Sequence, residues 1–515
     1  MTYRLTRQCL ILGLILLLAT PAASIGQDAQ TPKPAEFCIS VELSREFSRE
    51  AVSGRLFLLV TTNLIGEPRH LLHQGGIGFV FTQDVKNWKP GTTVTFSGAH
   101  AGFPSRLNTI PPGRYNLQAV LDRHPTDREI TTAAGNGRSR PKRLAIDTGS
   151  SDELRLSLNR EIIRNKLQNI SRVEYRKQEL RSVGRETETR TWATCAIVLP
   201  PNYKHDKEKT YPIQYWIPDF GTSARSALNF FQAKRIFNPS ADIASKTEKF
   251  IHVLIDPHSK NGHHFWMNSD ANGPYRTALM DELIPQIESA YRVRPGASSR
   301  FLVGIGAGGW AAVNLIIDRP DFFGGVWALA PDTPSGKSFL GMALWTDEPH
   351  SLFMSRRSEP RAMVQDPQTS RTILTVRAQS QLETILGRGN KLGRYEAAIS
   401  PTSKSGRPAQ MFNRDTGLIK DKVAHWKRFD LAHKLKTLPK NQGLKVARLI
   451  HIKAGRLDPY GMVPSTEAFK EQTDAMGLGI DITIQDDATR ESVSNSVPVH
   501  NEVQQEISRA FRATK

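Results

Sequence analysis

The stretch Phe301-Leu302-Val303-Gly304-Ile305-Gly306-Ala307-Gly308-Gly309-Trp310 runs an apolar segment straight into a cluster of glycines. Trp310 to Ile317 then continues with helical spacing and stops before Pro320. A short apolar run bounded by glycine reads as a buried strand, and the glycines as a tight turn into a helix. Strand-like and helix-like segments alternate on both sides of it. Ala196–Leu199, Tyr211–Ile217, Phe250–Ile255 and Gly325–Leu329 read as strands, and Thr277–Tyr291 as a helix. Towards the C-terminus Ala447–Ala454 and Ile480–Ile484 read as strands, and Pro464–Met476 and Val503–Phe511 as helices. This alternation predicts an α/β fold, a doubly wound, mostly parallel sheet covered on both faces.

The N-terminal part has another rhythm. Phe37–Leu43, Leu56–Thr61, Ile77–Phe81, Thr93–Phe96, Arg114–Leu121 and Leu154–Leu158 are short strand candidates separated by turns. That spacing predicts a small β-sandwich over residues 37–158. Residues 133–143 read as a mobile basic loop. Residues 159–190, rich in charge, read as a connector, partly helical. The α/β domain then spans 191–515, with residues 335–440 as an insertion over its sheet.

A chain of 515 residues with 39% hydrophobic and 23% charged residues can bury a large core. This excludes a disordered chain, and three cysteines exclude a disulfide scaffold. Arg4 and Arg7, the apolar run Cys9–Leu18 and the small residues Ala22-Ala23-Ser24 read as a cleaved signal peptide over residues 1–24, followed by a tether over 25–36. The expectation is a secreted or periplasmic protein without a membrane span. The net charge of +19 suits anionic surroundings such as acidic polysaccharide, or simply a basic solvated surface. No nucleic-acid motif is present, and nucleic acid is not an expected partner. Whether Cys38 and Cys195 pair is left open by the sequence.

The strand–glycine–helix segment has the form of a nucleophile elbow, G-x-S-x-G. The chain from about residue 190 onward resembles the putative-esterase family of α/β-hydrolases, the enterochelin-esterase-like and esterase-D-like proteins. The matching segments are Val198–Tyr203, Tyr211–Ile213, Ser269–Pro274, Glu282–Pro285, Arg319–Gly325 and Ala330–Asp332. Residues 392–431 and Ile110–Leu121 resemble a secreted branch of that family with an N-terminal β-domain.

The resemblance implies an α/β-hydrolase fold and carboxylic-ester hydrolysis by a serine triad. The nucleophile position, however, holds Gly306, which has no side chain to attack a carbonyl. Asp458, in Gly455–Tyr460, matches the family's acid. His500 is the only histidine in the region where the family's histidine lies, beyond a polar Asp486–Ser496 stretch. The backbone amides of Phe220 or Gly221, with Ala307, are the oxyanion-hole candidates. Asp219 stands where glycine is usual and should weaken that turn's hold on anions.

Other motifs carry less. Gly304–Gly309 lacks the Lys-Ser/Thr of a phosphate-binding loop. His263 and His264 are adjacent, which suits co-ligation poorly, and no cofactor or metal is expected. Trp216, Trp266, Trp310 and Trp327 suit core packing better than a carbohydrate platform. The sequence therefore points to an esterase-like homologue impaired in catalysis that binds a saccharide or ester. The competing readings are an active esterase using a non-elbow nucleophile such as Ser223 or Ser269, and a basic module for acidic polysaccharide.

Overall fold

The computed structural model describes residues 37–514 except 72–77, 125–128, 148–152, 164–171, 345–349, 388–390, 405 and 420–422. The signal peptide and tether expected over residues 1–36 lie outside the described residues.

Alternating side chains build the first domain. On Cys38–Leu43 the residues Ile39, Val41 and Leu43 are buried in one core. Cys38–Leu43 pairs antiparallel with Thr93–Ser97 and parallel with Glu153–Glu161. From there the path runs through Gly137–Ser139, Gly113–Asp122, Val52–Thr61 and Phe79–Trp88 to Gly102–Phe103, with Lys142–Ile146 beside Gly113–Asp122. The sandwich is thus one sheet curled over its own core, since Leu56, Leu58 and Val60 meet Leu117, Leu121, Leu156 and Leu158. Residues 133–143, expected as a loop, instead contribute Gly137–Ser139 and the start of Lys142–Ile146 to this sheet.

The run Leu56–Val60 is apolar on both faces for a physical reason. Phe57 and Leu59 point away from the shared core and pack with Val80, Val120 and Leu386. Leu386 ends the helix Val376–Leu386 of the insertion, and the Ile385 carbonyl accepts hydrogen bonds from Arg55 Nη1 (3.4 Å) and Thr82 Oγ1 (3.2 Å). A strand covered on both faces has no polar side to show.

The second sheet has eight strands in the order Val173–Glu179, Trp192–Val198, Ile251–Ile255, Ile213–Ile217, Arg300–Ile305, Gly325–Leu329, Ile450–Gly455 and Asp481–Gln485. The first two pairings are antiparallel and all the rest are parallel. This is the sheet of an α/β-hydrolase. Side chains alternate across it: Tyr215 and Leu302 enter one core with Ala311 and Leu315, whereas Trp216, Phe301 and Val303 enter another with Val503 and Phe511. The helices Ala307–Asp318 and Val497–Arg512 therefore cover opposite faces.

Residues 159–190, expected as a partly helical connector, hold the helix Arg181–Thr187, but Val173–Glu179 is the sheet's edge strand. The insertion packs back on the domain: Leu431–Thr437 places Lys434 Nζ on Asn314 Oδ1 (2.6 Å) and on Asp318. Cys38 and Cys195 lie in different sheets. Among the described residues no helix is long and apolar enough to cross a membrane.

Candidate functional site: a charged cluster above a glycine elbow

In a sheet of this kind, loops at the carboxyl ends of the parallel strands converge over its switch point. Here Pro218–Gly221, Gly306, Ala330–Thr333, Arg456–Tyr460 and the Asp486–Ser496 stretch follow the ends of five strands. Gly306 forms the bend, with φ 56° and ψ −118°, a strained conformation for any residue with a Cβ. Its amide donates to Leu329 O (3.0 Å), and its carbonyl accepts from Asp332 N (3.0 Å) and Trp310 N (3.1 Å). The flanking glycines answer to packing. A Cβ on Gly304 would overlap the Gly308 carbonyl, and one on Gly308 would overlap the Ile217 carbonyl.

The space above the bend is filled by side chains. A Cβ on Gly306 would overlap Arg490 Nη2 and the carboxyl group of Asp219. Asp219 Oδ1 accepts from its neighbour Phe220 N (2.7 Å) and from Ala307 N (2.9 Å). The two amides that converge on this point thus hold an internal carboxylate. Gly221 N is turned elsewhere and donates to His258 Nε2 (3.0 Å). That ring therefore carries its proton on Nδ1, 3.0 Å from Asp256 Oδ1. Burial raises the Asp219 pKa, but Arg490, Arg394 and the Ala307 amide outweigh it and hold the group at about 2.

Arg490, on the short helix Arg490–Ser494, organises the cluster. Its Nη2 donates to Asp219 Oδ2 (2.8 Å) and Asp332 Oδ1 (3.0 Å), and its Nη1 to Asp458 Oδ2 (3.1 Å). Asp332 also accepts from Tyr395 OH (2.8 Å) and from Arg394, which the insertion supplies. Asp458 accepts from Tyr460 N (2.7 Å), and burial raises its pKa despite Arg490. Lys391 Nζ stands 4.3 Å from the Tyr460 ring centroid, and burial, then Arg394, lowers its pKa to about 8. The carboxyl groups of Asp219, Asp332 and Asp458 thus face the guanidiniums of Arg490 and Arg394, with the Lys391 ammonium beside them. Such a network is stable only while every member is present.

The sequence candidates separate into two places. Gly306, Phe220, Ala307 and Asp458 border the cluster. His500 does not: it is fully buried in the first turn of the last helix, packed on Trp216 (5.6 Å) and Phe231 (5.3 Å). Its Nε2 donates to Ser494 O (2.7 Å), its buried Nδ1 lacks a partner among the described residues, and burial lowers its pKa to about 4. It has no hydrogen bond to Asp458. Ser223 caps the helix Ala224–Ala233 by accepting from Ser226 N. Ser269 donates to Ala397 O. Neither has an imidazole partner among the described residues.

His263 and His264 each accept a backbone amide on Nδ1, from Phe265 and Trp266, and are buried. Among the described residues no group of His, Cys, Asp and Glu could hold a metal. Trp216, Trp266, Trp310 and Trp327 are core residues.

Sequence reasoning missed Arg490, Arg394 and Asp332 as members of the site. Ala330–Asp332 was legible as a segment of the fold, and Asp219 as a departure from glycine. Nothing marked Arg490 within its polar loop.

Residues 187–403 match the model of the family described as "Putative esterase". No curated protein matches the chain. Among solved structures, a ferulic acid esterase is 14% identical, covering 66% of this chain and 100% of its own, with a TM-score of 0.41. An S-formylglutathione hydrolase from Agrobacterium tumefaciens is 13% identical, covering 66% of this chain and 98% of its own, with a TM-score of 0.40. An IroE-like serine hydrolase from Shewanella oneidensis is 14% identical, covering 65% of this chain and 80% of its own, with a TM-score of 0.35.

Proposed function

We propose, for a chain carrying the domain of the putative-esterase family over residues 187–403, that ester hydrolysis at the elbow has been given up and that the fold serves as an exported binding protein for a saccharide or ester. One observation carries the reading: Arg490 and Asp219 fill the volume that a side chain on residue 306 would enter. Glycine removes the nucleophile. The Asp219 carboxylate takes the two amides that would stabilise an oxyanion, and a guanidinium with no transferable proton at neutral pH stands beside the bend. Each change alone would cripple acyl transfer, and each supports the same conclusion. Export rests on the signal-peptide pattern of residues 1–24.

The test is turnover of a p-nitrophenyl ester series, from acetate to longer acyl chains and a feruloyl ester, by the purified mature protein. The expected result is hydrolysis at the buffer rate throughout. Turnover that survives repurification and disappears on substituting Ser223 or Ser269 would overturn the proposal in favour of a non-elbow nucleophile.

A further inference from the structure

A groove of about 570 Å³ lies between the first domain and the antiparallel edge of the second sheet, and its wall residue His258 also holds the Gly221 amide. One wall carries Lys177 of the edge strand and the segment Thr189–Trp192, and the other carries His258–Asn261. Trp192 is 39% exposed, one of few large apolar side chains left in water. Its indole holds two cations, Lys177 Nζ at 5.1 Å and Arg190 Cζ at 5.0 Å from the ring centroid. Arg190 is also tied to Glu179 (2.5 Å). Lys177 and Lys260 have no ion pair among the described residues.

Of the acids in the groove, Asp256 is engaged by His258, and Glu129 stands on the first domain's side. The rim is rich in hydroxyl and amide groups, from Thr187, Thr189, Thr191, Ser259 and Asn261.

We infer that this groove binds an acidic oligosaccharide. Cations held on an aromatic face lose little freedom when an anion arrives, so they form a preorganised seat. The surrounding hydroxyls and amides match sugar hydroxyls rather than an apolar ligand. A cleft at a domain junction is a preferred place for a ligand. The inference goes beyond the proposed function, because Trp192, Lys177 and Arg190, on which it rests, take no part in the elbow.

The test is calorimetric titration of the mature protein with oligogalacturonate, a heparin-derived sulfated oligosaccharide, a neutral maltooligosaccharide of equal length and phosphatidylglycerol vesicles. The first two distinguish carboxylate from sulfate as the anionic group. Binding to at least one acidic oligosaccharide, weakened by salt, and none to the neutral one is expected. W192A should weaken binding about tenfold through loss of two cation seats. The double variant K177A/K260A should weaken it about fivefold, as lost exposed charge contacts. Folding of the variants is checked by their melting transitions. Failure of both acidic oligosaccharides to bind, binding indifferent to W192A and K177A/K260A, or binding to the vesicles alone would overturn the inference. Ester turnover in the preceding assay would not.

Discussion

Gly304 and Gly308 face packed backbone, whereas Gly306, between them, faces charged side chains. Below the bend the constraint is steric: the strand Arg300–Ile305 and the helix Ala307–Asp318 approach too closely for a methyl group. Above the bend the constraint is electrostatic, a guanidinium shared by Asp219, Asp332 and Asp458. The difference teaches that an elbow's scaffold and its chemistry are separable. The scaffold needs only short residues at fixed positions. The chemistry needs an open volume, an imidazole and empty amide donors, and here that volume is filled from within.

Four measurements bear on this contrast. The largest effect belongs to Arg490. R490A strands three carboxylates in a buried site and should cost about 3–5 kcal/mol in denaturant unfolding. A loss near zero would mean that the network is ornamental. G308A should follow, at about 3 kcal/mol, because the Ile217 carbonyl is backbone and cannot step aside. A neutral G308A would remove the steric half of the comparison.

Asp219 comes next. Its folded pKa of about 2 lies below the unfolded value near 3.9, so its contribution is full above that value and is lost as pH falls towards 2. The advantage of wild type over D219N should be about 2 kcal/mol at pH 7 and vanish near pH 2. A gap independent of pH would contradict the assignment. The smallest effect is that of His500, whose folded pKa of about 4 lies below its unfolded value near 6.5. Stability from the neutral ring is full above pH 6.5 and is lost as pH falls towards 4. Wild type should lose about 1 kcal/mol between pH 6.5 and 5.5, and H500F should not show that loss.

The buried strands were legible because a short apolar run between glycines is stable only where water is kept from both of its faces. The edge strand Val173–Glu179 was not. Its sequence VEYRKQE carries the charges that keep an exposed edge from pairing with other chains, and it reads as a polar connector. Asp458 could be placed from the turn after a late strand. His500 stood in the right order along the chain, but helical geometry directs it into the core beside Trp216. Arg490 was out of reach. It meets Asp219, Asp332 and Asp458 across 271, 158 and 32 residues, and no spacing rule connects partners brought together only by the sheet. The loss of the serine was written in the sequence. The filling of the vacated space was not.

Whether the volume above residue 306 is filled can be read by exposing wild type and G306S to a fluorophosphonate probe and locating any adduct by mass spectrometry. Arg490 and Asp219 in the volume above residue 306 predict no adduct on either protein. An adduct on wild type, or on the new serine of G306S, would show that this volume is open and the machinery around it still able to activate a hydroxyl.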